Sequence, residues 1–294
     1  MLERAQLKAL EAVVEAGSFE GAAVRLGLTQ SAVSQRIKAL EDQLGASVIV
    51  RGQPCVATDI GARLVRHGQD VALIEQATLR EIGHDDETIG RPTVRIALNA
   101  DSLATWVMPA LAMMPDVLFD IVIDDQDHAA GWLRTAQVAA AISSRAEPVQ
   151  GCDVFPLGAL SYIATASPAF AARHFPRGLT EEALRTAPSL AFNAKDKLQM
   201  QFVERETGKR VALPVHRIAS TQSFVEATRL GLGWGLNPRL LVDSPLSDGS
   251  LVALSPQPFA TPLYWQVSRL VAKPLAPLTN AMREAARDGL DPEA

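Results

Sequence analysis

The chain has 294 residues, 48% hydrophobic and 21% charged, enough to core two or three compact units and too apolar to stay disordered. No apolar run approaches the roughly 18–20 residues of a membrane span, and the start (Met-Leu-Glu-Arg-Ala-Gln) enters an amphipathic helix rather than a signal peptide, so a cytoplasmic protein is expected. Only two cysteines, Cys55 and Cys152, exclude a disulfide framework or a cysteine-based zinc site, and a net charge of −5 excludes nucleic-acid binding by bulk charge.

Residues 4–16 read as a helix with Leu7, Leu10 and Val14 on one face. Ser18 is a natural N-cap for a second, short helix whose Ala22 and Ala23 admit a close neighbour. Gly27 ends that helix, and Thr29 caps the next one. In the third helix Val33, Ile37, Leu40 and Leu44 are spaced four, three and four apart and form one apolar stripe. The opposite face carries Ser31, Gln35 and Lys38, with Ser34 and Arg36 on its flanks. Two helices joined by a turn of about three residues have the layout of a helix-turn-helix. Thr29, Gln30, Ser31, Ser34, Gln35, Arg36 and Lys38 are then the candidates for base-edge and phosphate contacts. The spacing alone also describes an amphipathic pair with a solvated face. Residues 1–60 hold six cations against seven acids, so any electropositive face has to be local.

The β-branched run 47–50, a turn over Arg51-Gly-Gln-Pro54 and a return at Val56-Ala57 predict a β-wing. Arg51 at its tip is a candidate for a phosphate or minor-groove contact; a plain exposed turn arginine would look the same. Thr58 caps a long helix over about 59–82. Its Ile60, Leu64, His67, Val71 and Ile74 fit a short coiled-coil seam, with His67 as a packed polar interruption. A helix of that length needs a partner for its stripe, and a second copy in a two-fold dimer is the expected one. The polar stretch 84–92 ends in a proline and predicts a boundary. The domains expected are a DNA-binding head over 1–58, a linker over 59–90 and a larger unit over 91–294.

From residue 93 strands and helices alternate, predicting α/β architecture with a parallel sheet. Strands are expected at 94–98, 119–123 and 139–143, with a helix over 102–114. A second similar unit begins near residue 160, with strands at 162–165, 189–192, 216–218 and 263–268 and a terminal helix from about 274. Two α/β lobes result, the first over 91–161 and 268–294 and the second over 162–267. Ligands of open α/β sheets bind beyond the carboxyl ends of the strands. There this chain has Asn99, Asp101 and Ser102, then Asp124 and Asp125 with Asp127, then Ser143. From the second lobe come Asn193, Thr221 and Ser223. Acids there suit ammonium or guanidinium groups, and a helix start with hydroxyls suits a carboxylate, which points to a basic amino acid. Acids at strand ends also serve as helix caps.

Consecutive acids at 124–127 with His128 are poor geometry for a metal shell. Gly231-Leu-Gly-Trp-Gly235 lacks the spacing of a dinucleotide loop and reads as a helix C-cap and turn. There is no G-x-S-x-G or H-E-x-x-H. Neither an enzyme nor a cofactor is expected, and a solute receptor would leave residues 1–60 unexplained.

Gln30-Ser-Ala-Val-Ser34, Leu40-Glu41 and Leu44-Gly45, with Ser18-Phe19, Ala22-Ala23, Arg51, Thr58 and Gly61, resemble the N-terminal module of LysR-type transcriptional regulators. Asn99-Ala-Asp-Ser-Leu-Ala-Thr-Trp106, Leu157-Gly-Ala-Leu160 with Tyr162, Phe175-Pro176, Ser223-Phe-Val225, Leu263-Tyr-Trp265 and the wing Val50-Arg-Gly-Gln-Pro-Cys55 are similar to the ArgP/LysG subgroup of that family. The resemblance implies a winged helix-turn-helix, a dimerising linker helix and a bilobal, periplasmic-binding-protein-like effector domain whose last helix returns to the first lobe. It also implies lysine or arginine as effector, control of a basic-amino-acid exporter, promoter DNA and RNA polymerase as partners, and a homodimer or homotetramer. A different small effector, or an architectural binder that blocks replication initiation, are the alternatives. Operator, activation against repression, and lysine against arginine stay open.

Overall fold

The computed structural model describes residues 1–83, 91–126 and 128–292. Most of the expected boundary stretch (84–90) and Asp127 lie outside them.

The head is set by its caps. Helix α1 (Arg4–Ala16) ends at Gly17 with φ 65°. Helix α2 (Phe19–Leu26) starts under Ser18, whose hydroxyl accepts from the Gly21 amide, and ends at Gly27 with φ 63°. Thr29 does the same for the Ala32 amide at the start of α3 (Gln30–Leu44). Leu10, Val13, Ala22, Val33, Ile37, Leu40 and Val48 close the core at 1% exposure or less. Two expected stripe members differ. Leu44 is 37% exposed in the last turn of α3, and Val13, not Val14, takes the buried position on α1. The wing is the antiparallel pair β1 (Ile49–Val50) and β2 (Val56–Ala57), and the Cys55 amide donates to Gly17 O at 2.7 Å.

Helix α4 (Asp59–Glu81) begins under Thr58 and crosses the wing closely. A Cβ on Gly61 would lie 1.9 Å from the Val48 carbonyl oxygen, so only glycine fits. Of the predicted seam, Leu64 packs on the head's own core, while Ile60, His67 and Ile74 are exposed. The other side of α4 is fastened at both ends of the molecule. Gln69 donates to Glu11 at 3.1 Å and Arg4 pairs with Glu75 at 2.9 Å on the head side. On the far side Leu73 enters the core of the larger unit. Arg66, 5% exposed, pairs with Asp70 and donates to the Arg95 carbonyl at 3.5 Å. Burial pushes the Arg66 guanidinium down and the Asp70 carboxyl up.

The larger unit runs β3 (Thr93–Leu98), α5 (Ala100–Thr105), α6 (Met108–Ala112), β4 (Leu118–Ile123), α7 (Ala129–Arg134), β5 (Ala140–Ser143) and β6 (Cys152–Ala166). It continues with α8 (Pro168–His174), α9 (Glu181–Thr186), β7 (Ser189–Ala191), α10 (Leu198–Thr207), β8 (Val215–Arg217) and α11 (Thr221–Arg229). It ends with β9 (Gly235–Pro238), α12 (Arg239–Ser247), β10 (Val252–Ala253), β11 (Phe259–Ser268) and α13 (Ala276–Gly289). The helix expected over 102–114 is broken at Trp106 and Val107, where Pro109 has no amide to continue the ladder and instead sits in the first turn of α6.

The sheet is mixed, not parallel as expected. β3 pairs in parallel with β4 and β5, but β11 runs antiparallel to β5 and β6, and β9 and β10 are antiparallel to β6. The strand order is β10-β6-β11-β5-β3-β4, with β9 on β6. Strands β6 and β11 thus pass through both lobes. They kink together at Gly158 (φ 119°) and at a register shift between Leu263 and Tyr264. At that kink Ala159 exchanges both backbone hydrogen bonds with Asp291, beyond α13, and Ser161 bonds the Asp291 carboxylate. The second lobe adds the parallel pair β7–β8, bridged to the sheet at Trp234.

Candidate functional site

Two regions gather the predicted residues. In the head, Thr29, Gln30, Ser31, Gln35, Lys38 and Arg51 are exposed, and Ser34 and Arg36 are half-buried. The Thr29 hydroxyl is committed to the α3 cap and lies 3.0 Å from that of Ser31. Arg51 at the wing tip stands over the Phe19 ring, 5.5 Å from its centroid. The wing arginine is therefore drawn towards the start of α2 while staying exposed. Among the described residues no carboxylate pairs with Arg36, Lys38 or Arg51. Those three cations stay available to an anionic partner despite the acidic total.

The second region is a cavity of about 260 Å³ between the lobes. The first lobe contributes Asn99 and Asp101 where β3 gives way to α5, and Asp124 and Asp125 after β4. The second contributes the loop between β7 and α10 with Asn193, Lys195 and Asp196, then Gln199, Thr221 and Asn237. Tyr162 reaches in from β6.

Asp101 ties the lobes together. It accepts from the Tyr162 hydroxyl at 2.9 Å and from the Thr221 hydroxyl, at the start of α11, at 2.8 Å. Burial pushes its carboxyl up, while those two donors pull the other way. Burial, and then the neighbouring Asp101 charge, hold the Tyr162 phenol well above its ordinary value, so it stays a donor. Asp124 is held differently. Burial opposes its charge, but the Trp132 indole N–H at 2.9 Å, the Asp125 amide at 2.9 Å and the Lys195 ammonium at 3.3 Å outweigh it. Its carboxyl therefore ends below the usual range.

Among the described residues several buried wall atoms have no partner: both ends of the Asn99 amide, Gln199 Oε1 and Asn237 Oδ1. The Asn237 amide nitrogen is spent on the Thr165 and Thr228 hydroxyls, which fixes its oxygen as an acceptor. Buried polar atoms are rarely left unmet, and these four line the cavity, where they are open to hydrogen bonds from whatever fills it. The wall offers four carboxylates, from Asp101, Asp124, Asp125 and Asp196, against one ammonium. The described lining contains no histidine, cysteine or serine, and among the described residues no group of acids, histidines and cysteines could hold a metal.

Three predicted residues are not brought to this wall. Ser102 is fully buried behind it. Ser143 is fully buried and caps the next turn through the Arg145 amide. Ser223 is exposed on α11, where its amide is capped by Ser220. Asn193 lines the cavity, but its side-chain oxygen is occupied by the amides of Lys195 and Asp196. Residues not singled out from sequence are Lys195, Asp196, Gln199 and Asn237. Asp196 carried the readable signal, an acid just before a helix.

Residues 5–62 match the bacterial regulatory helix-turn-helix proteins of the lysR family, and residues 90–291 match the LysR substrate binding domain. The transcriptional regulator LysG of Mycobacterium bovis is 44% identical over 285 residues, covering 97% of this chain and 94% of that one. The crystal structure of ArgP from Mycobacterium tuberculosis matches 100% of both chains at 43% identity, with a TM-score of 0.82. Full-length LysG from Corynebacterium glutamicum, solved with arginine bound as effector, matches 99% of this chain and 100% of its own at 34% identity, with a TM-score of 0.68. With its capped helix-turn-helix, its wing and a cavity between two lobes, the chain belongs to the LysR family as a DNA-binding transcriptional regulator of the ArgP/LysG type.

Proposed function

We propose that this regulator senses L-arginine or L-lysine in the cavity between its lobes and controls a gene for basic-amino-acid export. The observation that carries the reading is the polarity of the wall: four carboxylates and the orphaned oxygens of Asn99, Gln199 and Asn237 face one ammonium. Such a wall suits a ligand richer in donors than acceptors, with a cationic head. The free Asn99 amide N–H and the opening turn of α11 at Thr221 supply donors for the ligand's single carboxylate. Arginine in the Corynebacterium relative supports the same ligand class.

In this reading the head binds promoter DNA through Gln30, Ser31, Ser34, Gln35, Arg36, Lys38 and Arg51, with Thr29 as the cap that orients α3. Two copies pair through the exposed stripe of α4, and pairs of dimers make the tetramer. The effector biases promoter occupancy only in so far as it binds two arrangements of the lobes differently, typically by about 1–3 kcal/mol. RNA polymerase is the downstream partner, in the cytoplasm. Calorimetric titration with L-arginine, L-lysine and, as control, L-leucine tests the effector. Saturable binding of a basic amino acid with none of leucine is the expected result. Silence from both basic amino acids would reject it.

A further inference from the structure

The single ammonium in an otherwise acidic wall has a place that the basic-amino-acid reading does not require. Lys195 sits in the loop between β7 and α10, on the second lobe, and its Nζ lies 3.3 Å from Asp124 Oδ1 on the first. Its backbone is anchored without the side chain. The Lys195 and Asp196 amides donate to Asn193 Oδ1 at 2.7 and 3.2 Å, and Asp196 accepts from the Phe192 and Leu198 amides at 2.8 and 2.9 Å. The side chain itself is 56% exposed and, among the described residues, makes no other bond. Asp124 is equally independent of it: the Trp132 indole and the Asp125 amide hold its carboxylate whether or not the ammonium is there. A fixed carboxylate and a loosely held, chain-borne cation therefore meet across the cavity mouth.

We propose that Lys195 is a tethered competitor: its ammonium occupies the Asp124 carboxylate, and a cationic effector has to displace it to reach the same group. This rests on the basic-amino-acid reading above. The tether raises the effector concentration at which the cavity fills and weighs only on ligands that carry the positive charge needed at Asp124. The lysine side of the pair is 56% exposed and the Asp124 side 16%; an ion pair open to solvent through one partner is a weak bond, so the ammonium is displaced easily, and the free lysine side chain returns to solvent without disturbing its loop. Lys195 is thus a specificity-setting residue that acts by occupying an acceptor.

The test compares L-arginine binding by calorimetry to the full-length wild type, Lys195→Gln and Lys195→Arg. Release of an exposed ion pair alone gives about 2- to 5-fold, and removing a like charge from the wall adds to it. K195Q should therefore bind arginine about 3- to 10-fold more tightly, with K195R close to wild type and all three sharing one thermal midpoint. Arginine binding to K195Q alone would also support the proposal. Equal or weaker binding by K195Q overturns it, the weaker case assigning Lys195 to the effector's carboxylate. Tighter binding by both variants overturns it too, because packing rather than charge would then be responsible. No binding to any of the three rejects the effector reading itself, an outcome distinct from binding that K195Q leaves unchanged.

Discussion

Replacing Arg66 by methionine probes the joint between the linker helix and the larger unit. The substitution keeps an apolar stem of similar length in a site that is 5% exposed and removes the guanidinium that meets Asp70 and the Arg95 carbonyl. Taking one partner from a buried ion pair costs about 3–5 kcal/mol, because the other charge is left desolvated and alone. At ~2–4 °C per kcal/mol for a unit of this size, the apparent midpoint should fall by roughly 6–20 °C. The pH dependence carries a definite sign. Burial already pushes the Asp70 carboxyl up, against the opposing pull of Arg66, and losing Arg66 pushes it further. A carboxyl whose folded pKa lies above its unfolded one favours the fold fully below the unfolded pKa, and that contribution is lost as pH rises through the folded pKa. The deficit of R66M should be greatest above neutral pH and shrink towards pH 5. Adding Asp70→Leu should restore most of it, since well-packed apolar replacements of buried pairs are often neutral. Differential scanning fluorimetry across pH 5–8 reads all three variants. An unchanged R66M midpoint, or a deficit that does not shrink in acid, would refute the reasoning.

Three further substitutions test the head. Gly61→Ala sets a methyl against the Val48 carbonyl at 1.9 Å, so the helix-propensity gain of about 1 kcal/mol should be overwhelmed and urea unfolding should move to lower concentration; an equal or higher midpoint contradicts the close crossing. Arg51→Ala should weaken binding to all DNA sequences alike and lower the salt slope by about 1. Fluorescence anisotropy at several salt concentrations measures this, and a loss confined to one operator argues against a phosphate contact. Gln35→Ala should cost about 1–3 kcal/mol of discrimination at one base pair, because glutamine can pair bidentately with adenine; unaltered selectivity across operator variants removes that role.

The head was legible because its signals are local. Ser18, Thr29 and Thr58 cap helices within three residues of themselves, and Gly27 ends the one that Ser18 begins. The larger unit hid more, since its long strands carry irregularities that break the alternation a reader looks for. Pro156 and the bulge at Gly158 concealed the 15-residue length of β6, and β9 lay behind a glycine-rich turn. In the cavity Asp101 and Asp124 were legible as acids at strand ends. Ser102 and Ser143 sit at the same ends but point inward, a choice of face that the sequence leaves open there. Lys195, Gln199 and Asn237 come from segments far along the chain from the first lobe's acids, Lys195 lying 71 residues from Asp124, and only the fold brings them together.

The acidic wall is assembled almost wholly outside the sheet. Asp101, Asp124, Asp125 and Asp196 occupy the junctions after β3, β4 and β7, whereas the strands themselves are held by an apolar core built around Ile96, Ile142, Leu160 and Trp265. Chemistry and support are therefore carried by different residues, joined chiefly at Tyr162. A frame of this kind can change what its cavity accepts through substitutions at loop positions such as Lys195 that the fold does not depend on, whereas Asp101, which ties the lobes through Tyr162 and Thr221, is part of the frame itself. The loops that line the cavity can therefore vary in chemistry while the strands beneath them keep one architecture.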